Sequence, residues 1–424
     1  MTTTKNNEHK KLNFSSEREQ SQACLNSAEH EKNQGRKVLN VPNLRFSEFE
    51  EEWEESTIGE QFDLYSGNTP SRFNKEHFKG NVNWISSGEL KEHYIYSSKE
   101  QISEEAAKNL TLLPIGTFVI AIYGLEAEGV RGTGSIIKEP STISQACMSF
   151  ISKGAIENEF LYSWYKKHGN VIGIRYAQGT KQQNLSYDIL ESFKIAYPCT
   201  KEQKKLNKFI TLLDERIATQ NKIIEDLKKL KCAIIEKVYS EIQGKEYSYG
   251  QLFDVVNERN KQMEYFNILS ASQEKGMVNR DDLNLDIQFE RSNINTYKIV
   301  RKGDYVIHLR SFQGGFAFSD KLGVCSPAYT ILRPNSLLEY GYLSNYFTSQ
   351  RFIKSLVLVT YGIRDGRSIN VDEWLRMKIT IPPKEHQQYI VKVIGTFERK
   401  IKDEEAYAAQ LSIQKQYLLR QMFI

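Results

Sequence analysis

Apolar residues recur at alternating spacings of four and three along two stretches of this chain. In the first, the repeating positions are Leu206, Ile210, Leu213, Ile217, Gln220, Ile224, Leu227, Lys231, Ile234 and Val238. Eight of these ten are apolar, which is the narrow seam of a coiled coil rather than the broader stripe of a helix lying on one globule. The spacing predicts a helix over about 201–240, roughly 55–60 Å long at 1.5 Å per residue. An offset of 184 residues carries the seam onto Ile390, Ile394, Phe397, Ile401, Glu404, Ala408, Leu411, Lys415, Leu418 and Met422. Apolar falls on apolar and polar on polar throughout. Upstream, FKIAYPCTKEQ (193–203) aligns without a gap on MKITIPPKEHQ (377–387). Two antiparallel helices of one chain, packed on each other, account for both seams. Gln220, Glu404 and the two lysines then help set the register at some cost in stability.

The stretches before each helix lack this period. They show short β-type runs, GTFVIAIYG (116–124) and ACMSFIS (146–152), punctuated by Gly, Asn and Ser, beside a helical segment NEFLYSWYKKHG (158–169). They also echo each other in order. IGEQFDL (58–64) resembles YGQLFDV (249–255), PIGTFVIAIYG (114–124) resembles RKGDYVIHLRS (301–311), and ISQACMSFI (143–151) resembles CSPAYTIL (325–332). GTKQQNLS (179–186) resembles GIRDGRSIN (362–370). Gly116 and Gly303 are expected at tight turns before strands. The fold class is therefore α+β, with two mixed α/β globules, two long antiparallel coiled-coil helices and an internal two-fold repeat. The expected division is a polar, disordered extension over 1–40, a globule over 41–200, a helix over 201–243, a second globule over 244–383 and a helix over 384–424.

Composition narrows the function by exclusion. The chain has 424 residues, 40% of them apolar and 26% charged, ordinary values for a water-soluble protein. No apolar run is long enough to span a bilayer, and the first residues lack a secretion signal, so a cytoplasmic location is expected. Five scattered cysteines suggest neither a disulfide framework nor a zinc site. The net charge of +4 is compatible with a polyanionic partner without demanding one. Phosphate-binding loops, dinucleotide fingerprints and H-E-x-x-H are missing, as is the [ND]-P-P-[YF] loop of amino-methyltransferases. The histidines have no ligand spacing. The acidic run Glu48 to Glu55 reads as a solvated face, and Trp84, Trp164 and Trp374 as core.

The loops offer more. In the first globule they carry Asn68, Thr69, Ser71, Arg72, Ser86, Ser87, Lys181, Gln182, Gln183 and Asn184. In the second they carry Arg259, Asn260, Lys261, Ser270, Gln273, Arg310, Gln313, Arg364 and Arg367. Arginine can be bidentate to guanine, and asparagine or glutamine to adenine, while serine and backbone N–H groups suit phosphates. Loops are rich in such residues in any case. Recurrence in two repeated globules raises the set as a whole as candidate DNA contacts.

The ordered pieces VPNLRFSEFEEEWEESTIGEQF, SGNTPS, WISSGEL, PIGTFVIA, GTKQQNLS and YPCTKEQKKL, with the duplicated plan of globule and helix, resemble the specificity subunit of type I restriction-modification systems. The resemblance covers residues 41–424. It implies two target-recognition domains that each read half of a bipartite double-stranded DNA sequence, and a helix pair that sets the spacer. It also implies two modification subunits that bring S-adenosylmethionine for adenine-N6 methylation, and two restriction subunits that use ATP and Mg2+. No cofactor, metal, catalytic residue or membrane contact is implied for this chain. A coiled-coil scaffold without DNA binding, or a self-sufficient methyltransferase or nuclease with an unrecognised site, are the alternatives.

Overall fold

The computed structural model describes residues 40–126, 129–179, 183–272, 275–282, 291–308, 315–361 and 368–424. All of the polar extension but Asn40 therefore lies outside the described residues. The chain divides into two compact units, one holding residues up to Ile210 together with Gln416–Ile424, the other Thr211–Lys415.

In the first unit a five-stranded sheet runs in the order Phe62–Ser66, Cys147–Ser152, Phe118–Ala121, Gly134–Ile137, Tyr94–Ile95. Its central strand, FVIA, is buried on both faces, as its unbroken apolar run dictates. Tyr162 and Tyr165, on the helix Asn158–Tyr176, stand edge-on to Phe118. A smaller sheet joins Glu100–Ile102, Val82–Ile85 and Ser141–Ile143, the last two in parallel. The unit is closed by a two-stranded clasp in which Glu54–Thr57 pairs with Lys194–Tyr197. Within the acidic run, Glu48 and Glu55 meet Lys205 and Lys194 at the exposed surface.

The second unit repeats this plan. Its four-stranded sheet has the order Phe253–Val256, Thr330–Pro334, Tyr305–Ile307, Phe316–Phe318, so the four strands correspond one by one to the first four of the other sheet. The strands fall where the aligned segments predict them. Gly116 and Gly303 both have positive φ, 87° and 94°, in the turns expected before the equivalent strands. Lys245–Ser248 pairs with Lys378–Ile381 as the second clasp. An aromatic core surrounds Phe347, and Tyr249 stacks on Trp374 at 4.2 Å. Trp84, Trp164 and Trp374 are all buried.

Both long helices form, over Thr200–Ser240 and Lys384–Met422. No seam position on either is exposed. Within the second unit the helices run antiparallel. Asp214 pairs with Lys415, Gln220 with Glu404, and Lys231 with Glu398 at 2.9 Å, so numbers rise along one helix as they fall along the other. The repeat offset maps Asp214 onto Glu398 and Lys231 onto Lys415. The two ion pairs are therefore images of each other, and the Gln220–Glu404 hydrogen bond lies at the centre of a local two-fold. Lys400, and then Gln220, hold the Glu404 carboxyl below the usual carboxylate range. No described helix is long and apolar enough to cross a membrane.

Candidate nucleic-acid interface

Each globule is fastened to a long helix by one buried amide. Gln203, fully buried in the first turns of the central helix, donates to the carbonyls of Ala155 at 2.8 Å and Pro198 at 2.9 Å, and accepts the Glu157 N–H at 2.9 Å. Gln387 stands at the equivalent place on the C-terminal helix. It donates to Leu337 and Pro382 at 2.9 and 3.0 Å and accepts the Glu339 N–H at 2.8 Å. Three bonds are reproduced on both helices. In the first unit the buried Glu202 adds a bidentate ion pair with Arg45, at 2.8 and 2.7 Å, and this carboxylate raises the Arg45 pKa. The alignment of 193–203 on 377–387 carried the signal for the two glutamines; nothing in the sequence pattern pointed to Arg45.

The candidate loops ride on these anchored globules. The first follows the strand Phe62–Ser66. Its backbone is held at Asn68, whose N–H donates to Ile143 at 3.1 Å and whose carbonyl accepts the Trp84 indole N–H at 3.0 Å. The Asn68 side chain accepts the Thr69 N–H at 2.8 Å, and Ser71 is exposed. Arg72 is exposed but paired at the surface. Its guanidinium is bidentate to Glu100 at 2.6 and 2.7 Å and lies 4.2 Å over the Phe78 ring. The next residue, Phe73, is fully solvent-exposed.

Ser86 and Ser87 are half-buried at a tight 3-10 turn, where the Ser86 hydroxyl donates to Glu89 at 2.7 Å. That bond commits Ser86 to local structure. Gln183 and Asn184 are also half-buried. The Gln183 N–H donates to Glu126 at 2.8 Å, and Asn184 exchanges backbone hydrogen bonds with Gln178. Lys181 and Gln182 lie outside the described residues.

In the second unit the corresponding loop follows Phe253–Val256. Arg259 and Lys261 are exposed. Asn260 departs from expectation: it is 2% exposed, donates to the Tyr265 carbonyl at 2.7 Å and accepts the Tyr265 N–H at 3.2 Å. Both ends of its amide close its own loop, which removes it from the set that could meet a base edge. Phe266, beside Tyr265, is 67% exposed. Ser270 is half-buried in the strand Leu269–Ser272. Gln273, Arg310, Gln313, Arg364 and Arg367 lie outside the described residues. Among the described residues, no cluster of His, Cys, Asp and Glu is placed to hold a metal ion. In each unit, the loop after the first strand of the main sheet thus carries exposed polar groups, Asn68 and Ser71 in one and Arg259 and Lys261 in the other.

Comparison with known proteins agrees with this duplication. Residues 50–229 and 244–412 each match the type I restriction modification DNA specificity domain. The MjaIX type I restriction enzyme specificity subunit of Methanocaldococcus jannaschii is 26% identical over 212 residues, 48% of this chain and 48% of that one. The EcoR124I/EcoR124II specificity subunit of Escherichia coli is 30% identical over 212 residues, 49% of this chain and 48% of that one. The chain spans about half the length of the curated relatives it matches. Among solved structures, the S subunit of a type I restriction-modification system from M. genitalium superposes with a TM-score of 0.51 at 15% identity, over 91% of this chain and 99% of that one. A chain from a study of assembly and conformational transition in the type I system gives 0.58 at 15% identity, over 88% and 97%. At such identity these two speak for the fold. With the two domain matches covering well over half its length, the chain belongs to the type I restriction-modification DNA specificity family.

Proposed function

We propose that this chain reads a bipartite target in double-stranded DNA, one half-site per globule, and directs partner subunits to it. The observation that carries the reading is the duplicated attachment. Gln203 and Gln387 lock equivalent globules to equivalent positions on two helices whose seams match in register. Two readers fixed to a stiff helix pair suit half-sites separated by an unread spacer. Half-sites are most easily reached from one face of DNA at about one helical turn, ~34–36 Å, apart. On this reading two modification subunits dock on the helices and supply S-adenosylmethionine for adenine methylation. Two restriction subunits supply ATP- and Mg2+-dependent translocation and cleavage. The chain itself contributes recognition and no catalysis, and works in the cytoplasm, where the DNA is.

With a net charge of only +4, the isolated chain should hold DNA weakly and with a steep salt dependence, since phosphate contacts release counterions. Specific affinity should appear once the modification subunit is added. Gel shifts on the duplex identified by methylation-site sequencing of a host carrying the system test this. Equal specific affinity without the subunit overturns the partner dependence, and no retention in either condition overturns the DNA-reading function.

A further inference from the structure

In the second unit, the loop after the strand Phe253–Val256 sets two cations against each other. Arg259 and Lys298 face across an isolated antiparallel bridge. The Ile299 N–H donates to the Glu258 carbonyl at 2.8 Å, and the Asn260 N–H to the Tyr297 carbonyl at 2.9 Å. These bonds flank the pair and do not join it, the arrangement that brings opposed side chains closest. Like charges directly opposite each other destabilise such a pairing. Neighbouring cations are neutralised: Glu258 takes Arg301 at 2.9 Å, and the buried Asp304 takes Arg333 at 3.0 Å. Arg259 and Lys298 have no carboxylate partner among the described residues. The half-buried Lys298 amine donates to the Tyr329 carbonyl at 2.7 Å, which aims it and leaves two of its three protons for another acceptor. The Arg259 guanidinium is exposed, and makes no hydrogen bond among the described residues. Burial foremost, and the Arg259 charge after it, push the Lys298 pKa down, with Cys325 opposing. The backbone thus maintains a repulsion that no described residue relieves.

We propose that Arg259 and Lys298 together grip the phosphate backbone of DNA at the half-site read by the second globule. The proposal rests on the DNA-reading function above, and it adds Lys298, which lies outside the candidate loops read from the sequence. Two cations held together at a cost in the free protein recover that cost when an anion arrives between them. The guanidinium offers a planar fork that matches phosphate oxygens, and the ammonium a compact point charge. A polyanion neutralises both cations, and the exposed Lys261 two residues on, where a lone carboxylate of a protein partner cancels only one charge. A chain of phosphates is the polyanion that the proposed function already supplies. Contacts of this kind fix the register of a reader on the duplex and carry no base information themselves. The assignment is therefore one of positioning: the bridge and the Tyr329 carbonyl hold the two cations in place, and the cations hold the globule on its half-site.

The test uses the full chain assembled with its modification subunits, as wild type, Arg259→Gln and Lys298→Met, each selecting from a pool of randomised double-stranded DNA. Both variants should select the wild-type sequence. Each should bind that duplex roughly 10-fold more weakly, the worth of one charge-assisted hydrogen bond, and with a salt slope lower by about one. Lys298→Arg should keep most of the affinity. Neutral methylphosphonates placed one at a time along the duplex should reveal a position, beside one half-site, where wild type loses this affinity and the two variants lose none. Arg259→Gln should melt no lower than wild type, because it removes a repulsion and breaks no hydrogen bond to a described residue. Unchanged affinity and salt slope in both variants overturn the proposal. A changed base in the selected sequence also overturns it, since the pair would then read and not position. So does loss of subunit assembly with DNA binding intact in the complexes that form, which would make the pair a protein contact. A wild-type complex that selects no sequence instead defeats the DNA-reading function itself.

Discussion

Gln203 and Gln387 each spend a whole side-chain amide on three backbone groups inside the protein, where water cannot replace a lost partner. Truncation to alanine strands two carbonyls and one N–H, and each buried group left unpaired costs about 1–3 kcal/mol. Gln203→Ala should therefore loosen the first globule, seen as faster hydrogen exchange at the Glu157 amide, while the Glu339 amide stays protected. Gln387→Ala should do the reverse. Gln203→Glu should be worse at neutral pH, because a carboxylate would face two carbonyl oxygens. A second residue-scale expectation concerns acid. Burial, with Lys167 nearby, pushes the His168 pKa down to about 4, although the Ile424 carbonyl that it faces at 3.0 Å favours the protonated ring. The folded state then binds fewer protons than the unfolded one between the ordinary value near 6.5 and about 4. Stability is full above that window and declines as pH falls through it. Replacing His168 by Gln should flatten the pH dependence of unfolding over that range.

At the scale of elements, the helix pair holds register through its polar centre. Gln220 and Glu404 occupy equivalent seam positions and hydrogen-bond to each other, with an ion pair on either side. One heptad inserted after Gln220 and one before Glu404 keeps the 4-3 phase, the central contact and the matched length of both helices. The added rise is about 10 Å, close to three base pairs at roughly 3.4 Å each. If the helices set the spacer, methylation-site sequencing of the double insertion should show it longer by about two to four base pairs, with both half-sites unchanged. An active variant with the original spacer would show that they do not. A single insertion should offset the two seams and weaken assembly.

For the whole molecule, the clasps define what can be exchanged. Lys245–Ser248 and Lys378–Ile381 pair with each other, so the second globule leaves and rejoins the helices at one place. Replacing residues 245–383 by the equivalent domain of a relative should change one half-site and leave the other intact. The graft must still accept Ile235, Tyr239, Ile390 and Ile394, which the two helices contribute to that globule's core. Altered reading in both half-sites, by sequencing of methylated sites, would contradict independent recognition.

What the sequence determined by itself was everything that repeats at a fixed interval. The 4-3 seam, the offset of 184 residues and the two turn glycines are local or periodic properties, and a helix or turn expresses them without knowing what it packs against. The corresponding strands of both sheets could be aligned for the same reason. Tertiary structure decided where polar side chains spend their hydrogen bonds. Arg72 meets a carboxylate 28 residues away and Arg45 one 157 residues away, distances along the chain that no local pattern encodes. Asn260 has the composition of a surface loop residue yet is buried, because its partner Tyr265 curls the chain around it.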